Sequence, residues 1–307
     1  MAIILGDNQY GKAESHLVRV VRDGPRHEIR DLTVTTALRG PFEAAYLEGD
    51  QSAVLPTDTQ KNTAFAFAKS HGVQSVEGFG LDLTRHFVDD VDPVVSARVE
   101  IEEHAWARAV VDGAEHDHTW LRTGPEVRTA AVTVDAAAPG GVREHVVAGV
   151  KELVLLKSTG SEFAGFLTDE FTTLPETHDR VMATALDAKW RVSGDAATDA
   201  SFDWDALHAS VTAIMVREFA TLQSLALQQT LWHMGRAAME AHPDIAEVRL
   251  KAPNKHHFAY DLERFGLQND NEVFWAADRP YGLIEATLHR DDALPAGDAW
   301  RASAGLA

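Results

Sequence analysis

A chain of 307 residues is long enough for two domains of ordinary size or one large one, and its 45% of apolar residues can fill a substantial core. Its 28 basic and 47 acidic residues leave a net charge of −19, which argues against a nucleic-acid partner or an anionic membrane surface. The chain has no cysteine, so disulfide scaffolds, thiolate zinc sites, iron–sulfur clusters and cysteine nucleophiles are excluded, and any metal would need His, Asp or Glu.

The apolar run near the start, Ala2-Ile3-Ile4-Leu5, falls far short of a signal-peptide core or of the roughly 20 residues of a membrane span. The ending Ser303-Ala304-Gly305-Leu306-Ala307 is not a Ser-Lys-Leu peroxisomal address, so the expected location is the cytoplasm. Residues 15–22 and 27–38 are rich in Val, Leu, Ile and Thr around the turn Asp23-Gly24-Pro25, which predicts a long hairpin. Two helices are expected next: residues 63–69 carry Ala and Phe, and Phe79, Leu83 and Phe87 recur at four-residue spacing. Val95, Ala97, Val99 and Ile101 then alternate with Ser96, Arg98, Glu100 and Glu102, the period of a strand with one wet face, and residues 127–134 can pair with it.

Ala136-Ala137-Ala138-Pro139-Gly140-Gly141 lacks periodicity and marks a domain boundary, giving domains 1–139 and 140–307. Strand patterns at 146–156 and 180–192 follow. Next come helical stripes through Leu207, Val211, Ile214 and Phe219 and across 227–241, then strands at 248–250, 258–262 and 284–288. Hairpin, helix pair and hairpin thus occur twice. This predicts an α+β fold of duplicated antiparallel sheet with helices on one face, whose open edges would favour closure into an oligomeric barrel.

Several local patterns have two readings. Gly6-x-x-x-x-Gly11-Lys12 imitates a P-loop, but Ala13 follows where Ser or Thr should bind magnesium, and a strand follows where a helix should. Gly78-x-Gly80 lacks the third glycine and the preceding strand of a dinucleotide fingerprint. His104, His116 and His118 could ligate a metal, although a solvated acidic loop is the favoured reading of residues 115–118. Residues 57–63 could aim helix N–H groups at an anion or simply cap a helix. Asn254-Lys255-His256-His257 could be an ordinary turn, Gln228 a solvated amide, and Arg180 half of a surface ion pair.

Together these segments resemble urate oxidases. The residues that carry the likeness are Tyr10-Gly11-Lys12, Thr57-Asp58-Thr59-x-Lys61-Asn62-Thr63, Leu156-Lys157-Ser158-Thr159-Gly160-Ser161-Glu162-Phe163, Glu176-Thr177-x-Asp179-Arg180, Leu227-Gln228-x-Thr230 and Leu250-x-x-Pro253-Asn254-Lys255-His256, with Asp278-Arg279-Pro280-Tyr281-Gly282 near the end. The likeness spans roughly residues 6 to 290 and is weak between 100 and 125, from which no residue role is carried over. It implies tandem T-fold (tunnelling-fold) domains, four chains stacked into a hollow barrel, active sites between subunits, and oxidation of urate by dioxygen to 5-hydroxyisourate and hydrogen peroxide without metal or organic cofactor. By the same resemblance Phe163 stacks on the purine, Arg180 and Gln228 clamp its edge, Leu227 donates a backbone N–H, and Asn254 holds dioxygen or water. Lys12, Thr57 and His256 form a proton relay, and Asp58 donates a backbone N–H from the neighbouring chain. Leu227 stands where relatives often carry Val, a small change if its backbone does the bonding. The lack of a peroxisomal ending resembles bacterial members.

The chemistry suits these residue types. Urate is a flat anion, and a planar Arg fork beside a Gln amide can read its edge while an aromatic face fixes it from below. Triplet dioxygen reacts poorly with closed-shell molecules, so an enzyme without a cofactor must make urate a better electron donor by removing a proton, and a Lys–Thr–His chain can do that. Two alternatives compete: a zinc-dependent T-fold enzyme acting on purines or pterins, and a purine-binding barrel without catalysis.

Overall fold

A computed structural model describes residues 2–138 and 140–301. The proposed boundary residue Pro139 and the carboxyl-terminal pentapeptide lie outside the described residues. The order of elements is a strand pair, three helices and a strand pair, twice over, the first helix of each three being a five-residue segment ahead of the expected pair. Strands β1 (Ser15–Val21) and β2 (Glu28–Arg39) precede helices α1 (Glu43–Leu47), α2 (Thr57–Ser70) and α3 (Val76–Asp89) and strands β3 (Ser96–Val111) and β4 (Ala114–Asp135). Strands β5 (Arg143–Lys157) and β6 (Met182–Val192) precede helices α4 (Gly194–Thr198), α5 (Trp204–Thr221) and α6 (Leu227–Ala241) and strands β7 (Ile245–Ala259) and β8 (Phe274–His289). In the first unit β1, β2, β3 and β4 pair in sequence order, and in the second β7 pairs with β8; all of these pairs are antiparallel. This is the expected α+β architecture.

By contacts the chain falls into two compact units. The first comprises Met1–Gly149, Trp190–Ala206 and Asp292–Ala307; the second comprises Val150–Lys189 and Leu207–Asp291. In the first unit the alternation read from the sequence selects one sheet face. Leu17, Leu32, Val34, Val99 and Ile101 join Phe79, Leu83 and Phe87 of α3 in one buried cluster, and His16, Asp31, Thr33 and His104 point the other way. Ser75 caps α3 by accepting from the Gly78 N–H at 3.0 Å, so Gly78-x-Gly80 lies within a helix and is no phosphate loop. The glycine-rich start leads into strand β1, as expected from the absence of a P-loop. In the second unit Met182, Leu186, Met215 and Leu231 are fully buried, and α6 packs on β7 and β8.

Three sequence expectations need correction. Residues 115–118 are not a loop but the start of β4, because Asp112 and Gly113, both with positive φ (51° and 83°), close a two-residue hairpin turn. Asn254-Lys255-His256-His257 is not a turn: it lies inside β7, which runs without a break through the segments expected as two strands. The strand expected at 258–262 ends at Ala259.

Candidate active site

The second unit holds a cavity of about 470 Å³ lined by Phe163, Arg180, Leu227, Gln228, Asn254 and His256, the six residues of that unit assigned to the site from sequence. Strand periodicity puts Asn254 and His256 on one face of β7. The register shifts between them: Asn254 pairs with Gly282 and His256 with Ala277, so residues 278–281 of β8 bulge out opposite the site. Helix α6 begins at Leu227, and its N-cap Ala226 makes no side-chain hydrogen bond, so the first-turn N–H groups of Leu227 and Gln228 stay free for a ligand. Phe258, Phe274 and Ile284 add apolar wall that the motifs had not flagged, although they belong to alternating strand patterns.

Phe163 and Arg180 sit on irregular segments that backbone bonds fix. The Phe163 N–H donates to the Thr177 carbonyl at 2.8 Å, the Thr177 N–H donates back at 3.0 Å, and the Arg180 N–H donates to the Ser161 carbonyl at 2.9 Å. The guanidinium carbon of Arg180 stands 5.6 Å from the centre of the Phe163 ring, and its Nε donates to the Ser161 hydroxyl at 3.2 Å. Ser161 is fully buried and was not singled out from sequence, although it lies inside the Leu156–Phe163 motif. Among the described residues no carboxylate pairs with Arg180, so the surface ion pair is not found. Burial alone holds its guanidinium below the ordinary arginine value. A cation stripped of water with no counter-ion is an anion site. The side chains of Gln228, Asn254 and His256 make no hydrogen bond to another described residue, which leaves an amide, a second amide and an imidazole open to the cavity.

Lys12, Thr57 and Asp58 belong to the first unit and do not line this cavity. They are held near one another there. The Lys12 N–H donates to the Thr36 hydroxyl at 3.2 Å, the Thr36 N–H donates to the Lys12 carbonyl at 2.9 Å, and the Thr36 hydroxyl donates to the fully buried Gln60 Oε1 at 2.7 Å. Gln60 lies one turn after Thr57 in α2, so Thr36 and Gln60 tie the lysine segment to the helix start. Gly11 permits this approach, since a Cβ there would stand 1.7 Å from the Thr36 carbonyl oxygen. Thr57 is the first helical residue rather than the cap. The N-cap is Pro56, which makes no side-chain bond, so the capping reading fails and the N–H groups of Thr57 and Asp58 remain orphan donors. The Asp58 carboxylate turns back to Lys61 and to Asn62, the latter at 3.1 Å, and Lys61 with Lys12 holds it below the usual carboxylate range.

Of the metal candidates, His104 groups with His16 and Asp31 rather than with His116 and His118. A second large cavity, about 550 Å³, lies in the first unit among residues 71–85 and 197–205 and contains none of the nine assigned residues.

An α+β protein whose guanidinium, with no carboxylate partner among the described residues, stands over an aromatic ring beside two amides has the donors and the ring face that suit a flat anion. Comparison with known proteins gives the family. The Uricase family profile matches residues 8–133 and 146–285. The uricase of Arthrobacter globiformis is 48% identical over 304 residues, covering 99% of this chain and 96% of that one, and that of Cyberlindnera jadinii is 33% identical over 95% of this chain and 99% of that one. The crystal structure of the A. globiformis uricase superposes with a TM-score of 0.88 at 48% identity, covering 96% of this chain and 98% of that one. The chain belongs to the uricase family.

Proposed function

We propose that the chain is a urate oxidase, an oxidoreductase that converts urate, dioxygen and water to 5-hydroxyisourate and hydrogen peroxide using protein groups alone. The observation that carries this reading is the half-buried Arg180, without a carboxylate partner, beside Phe163 in a cavity rimmed by Gln228, Asn254 and His256. Arg180 and Gln228 bind the urate edge in plane, Phe163 stacks on the ring, and the Leu227 N–H adds a donor at the start of α6. Asn254 holds dioxygen or water above the ring. Lys12, Thr57 and His256 carry the proton that urate must lose before it can give an electron to oxygen. The separation of the nine residues into two groups, each at the uncapped start of a helix, supports a site completed by a neighbouring chain, whose Lys12, Thr57 and Asp58 join the cavity of the first.

The assembly that goes with this reading is a homotetrameric barrel of tandem T-fold domains, with the domain boundary near residue 139. The cytoplasm is the proposed location. No described helix is long and apolar enough to cross a membrane, and the net charge of −19 disfavours nucleic acid as a partner. Mixing two inactive variants tests the shared site. Arg180→Ala should raise KM for urate at least tenfold and Lys12→Met should lower kcat at least tenfold with KM nearly kept. Refolding the two together should restore part of the wild-type rate. A mixture no more active than the sum of its parts would refute a site built from two chains.

A further inference from the structure

On the sheet face away from the core of the first unit, three neighbouring strands converge on one point. His16 of β1, Asp31 of β2 and His104 of β3 each offer a ligand atom within 4.8 Å of the other two. His16 Nε2 lies 2.5 Å from Asp31 Oδ1, and the two imidazole rings stand 5.8 Å apart at 73°. A tetrahedral zinc with bonds of about 2.0 Å holds its ligand atoms roughly 3.3 Å apart, so side-chain rotation suffices and no strand has to move. The supporting contacts are those of a built site. Trp106 donates its indole N–H to the other carboxylate oxygen of Asp31 at 2.8 Å, and the Thr33 hydroxyl bonds His104 Nε2 at 3.1 Å. Asp31 has a side chain only 7% exposed, whereas that of His16 is 61% exposed and leaves a way in from solvent.

One group opposes an ion here. Arg122 donates to His104 Nδ1 at 2.8 Å and stands 3.8 Å from Asp31 Oδ2. Its side chain is 43% exposed and lies across the Trp106 ring, 5.5 Å from the centroid, so it can yield its place at His104 without leaving the sheet.

We propose that His16, Asp31 and His104 form a binding site for one divalent transition ion of the zinc class, which ties β1, β2 and β3 together and leaves a fourth position to water. Two imidazoles and one carboxylate suit zinc, cobalt and nickel and not magnesium or calcium. The site uses none of the residues assigned to urate, so its role is structural and turnover is independent of it.

Cobalt(II) titration of the chelator-stripped full-length protein tests this, because cobalt in a four-coordinate N/O site absorbs strongly in the visible. One cobalt per chain should bind saturably and be displaced by zinc. Affinity should fall at least tenfold in His16→Ala and in His104→Ala and rise severalfold in Arg122→Ala, which removes the competing cation. Zinc should raise the Tm of the wild type and not of the histidine variants, with urate turnover equal in stripped and loaded enzyme. Absence of saturable binding, binding that survives loss of His16 or His104, or an affinity unchanged in Arg122→Ala would overturn the proposal.

Discussion

On the proposed reading Arg180 binds through its planar fork, and among the described residues the side-chain hydrogen bond that aims it is the one its Nε donates to the Ser161 hydroxyl. Removing that hydroxyl leaves the charge in place but lets the guanidinium swing, a loss of about 1 kcal/mol of binding. Ser161→Ala should therefore raise KM for urate roughly fivefold and leave kcat within a factor of two; a lowered kcat with unchanged KM would remove Ser161 from this role. At this scale the sequence was informative through its resemblance to urate oxidases, which singled out Arg180, Phe163 and Asn254; read alone, Arg180 suggested a surface ion pair and Asn254 a turn. It was silent on Thr36 and Gln60, whose buried bond supports the Lys12 segment, because a Thr in a strand and a Gln in a helix carry no mark of their partner.

Two helices meet the sheet through a glycine, and the two contacts differ in stiffness. A Cβ on Gly80 of α3 would come 2.7 Å from Cγ2 of Val132 and 3.3 Å from its Cβ; a Cβ on Gly235 of α6 would come 2.7 and 3.0 Å from the two methyls of Leu288 and 3.3 Å from its Cγ. Valine is branched at Cβ and stiff about χ1, whereas leucine branches one carbon further from the backbone and can give way more easily. Overpacking costs about 1–3 kcal/mol against a helix-propensity gain of up to about 1 kcal/mol. Gly80→Ala should thus lower Tm by several degrees and Gly235→Ala should lower it less; calorimetry giving the reverse order would contradict this packing.

The first turn of α3 also carries Glu77, fully buried and bonded to Arg128 of β4 at 2.7 Å. Burial outweighs the arginine and pushes its pKa from 4.5 up to about 7. Between those values the native protein keeps a proton that the unfolded chain has released. The contribution of Glu77 to stability is fully present below about 4.5, declines as pH rises, and is lost above about 7. Replacing it by Gln should flatten the fall in Tm between pH 5 and pH 8, and an equal slope in both proteins would show that Glu77 does not titrate there. Element positions were legible where periodicity was long, as in β1, β2, α3 and α6. The long β3/β4 hairpin was not, since its outer half is wet on both faces and only the Asp112-Gly113 turn announces it. Strand β7 was read as broken because Asn254, Lys255, His256 and His257 are polar and interrupt the apolar strand pattern.

For the whole molecule, the duplicated order of hairpin, helix pair and hairpin was visible in the alternation of periods, while the contact-defined units interleave in sequence and no local signal encodes that. The global charge of −19 opposes an anionic substrate, but at physiological salt its reach is about 8 Å, so on the proposed reading contact with Arg180 outweighs it. On the proposed reading the enzyme deprotonates urate and lets air oxidise it. The direct measurement is urate ultraviolet absorbance and peroxide release in a chelator-treated, cofactor-free preparation of the full chain. Full activity with one peroxide formed per urate consumed is the predicted result; a protein that stays inert until a metal or organic cofactor is added would contradict the account.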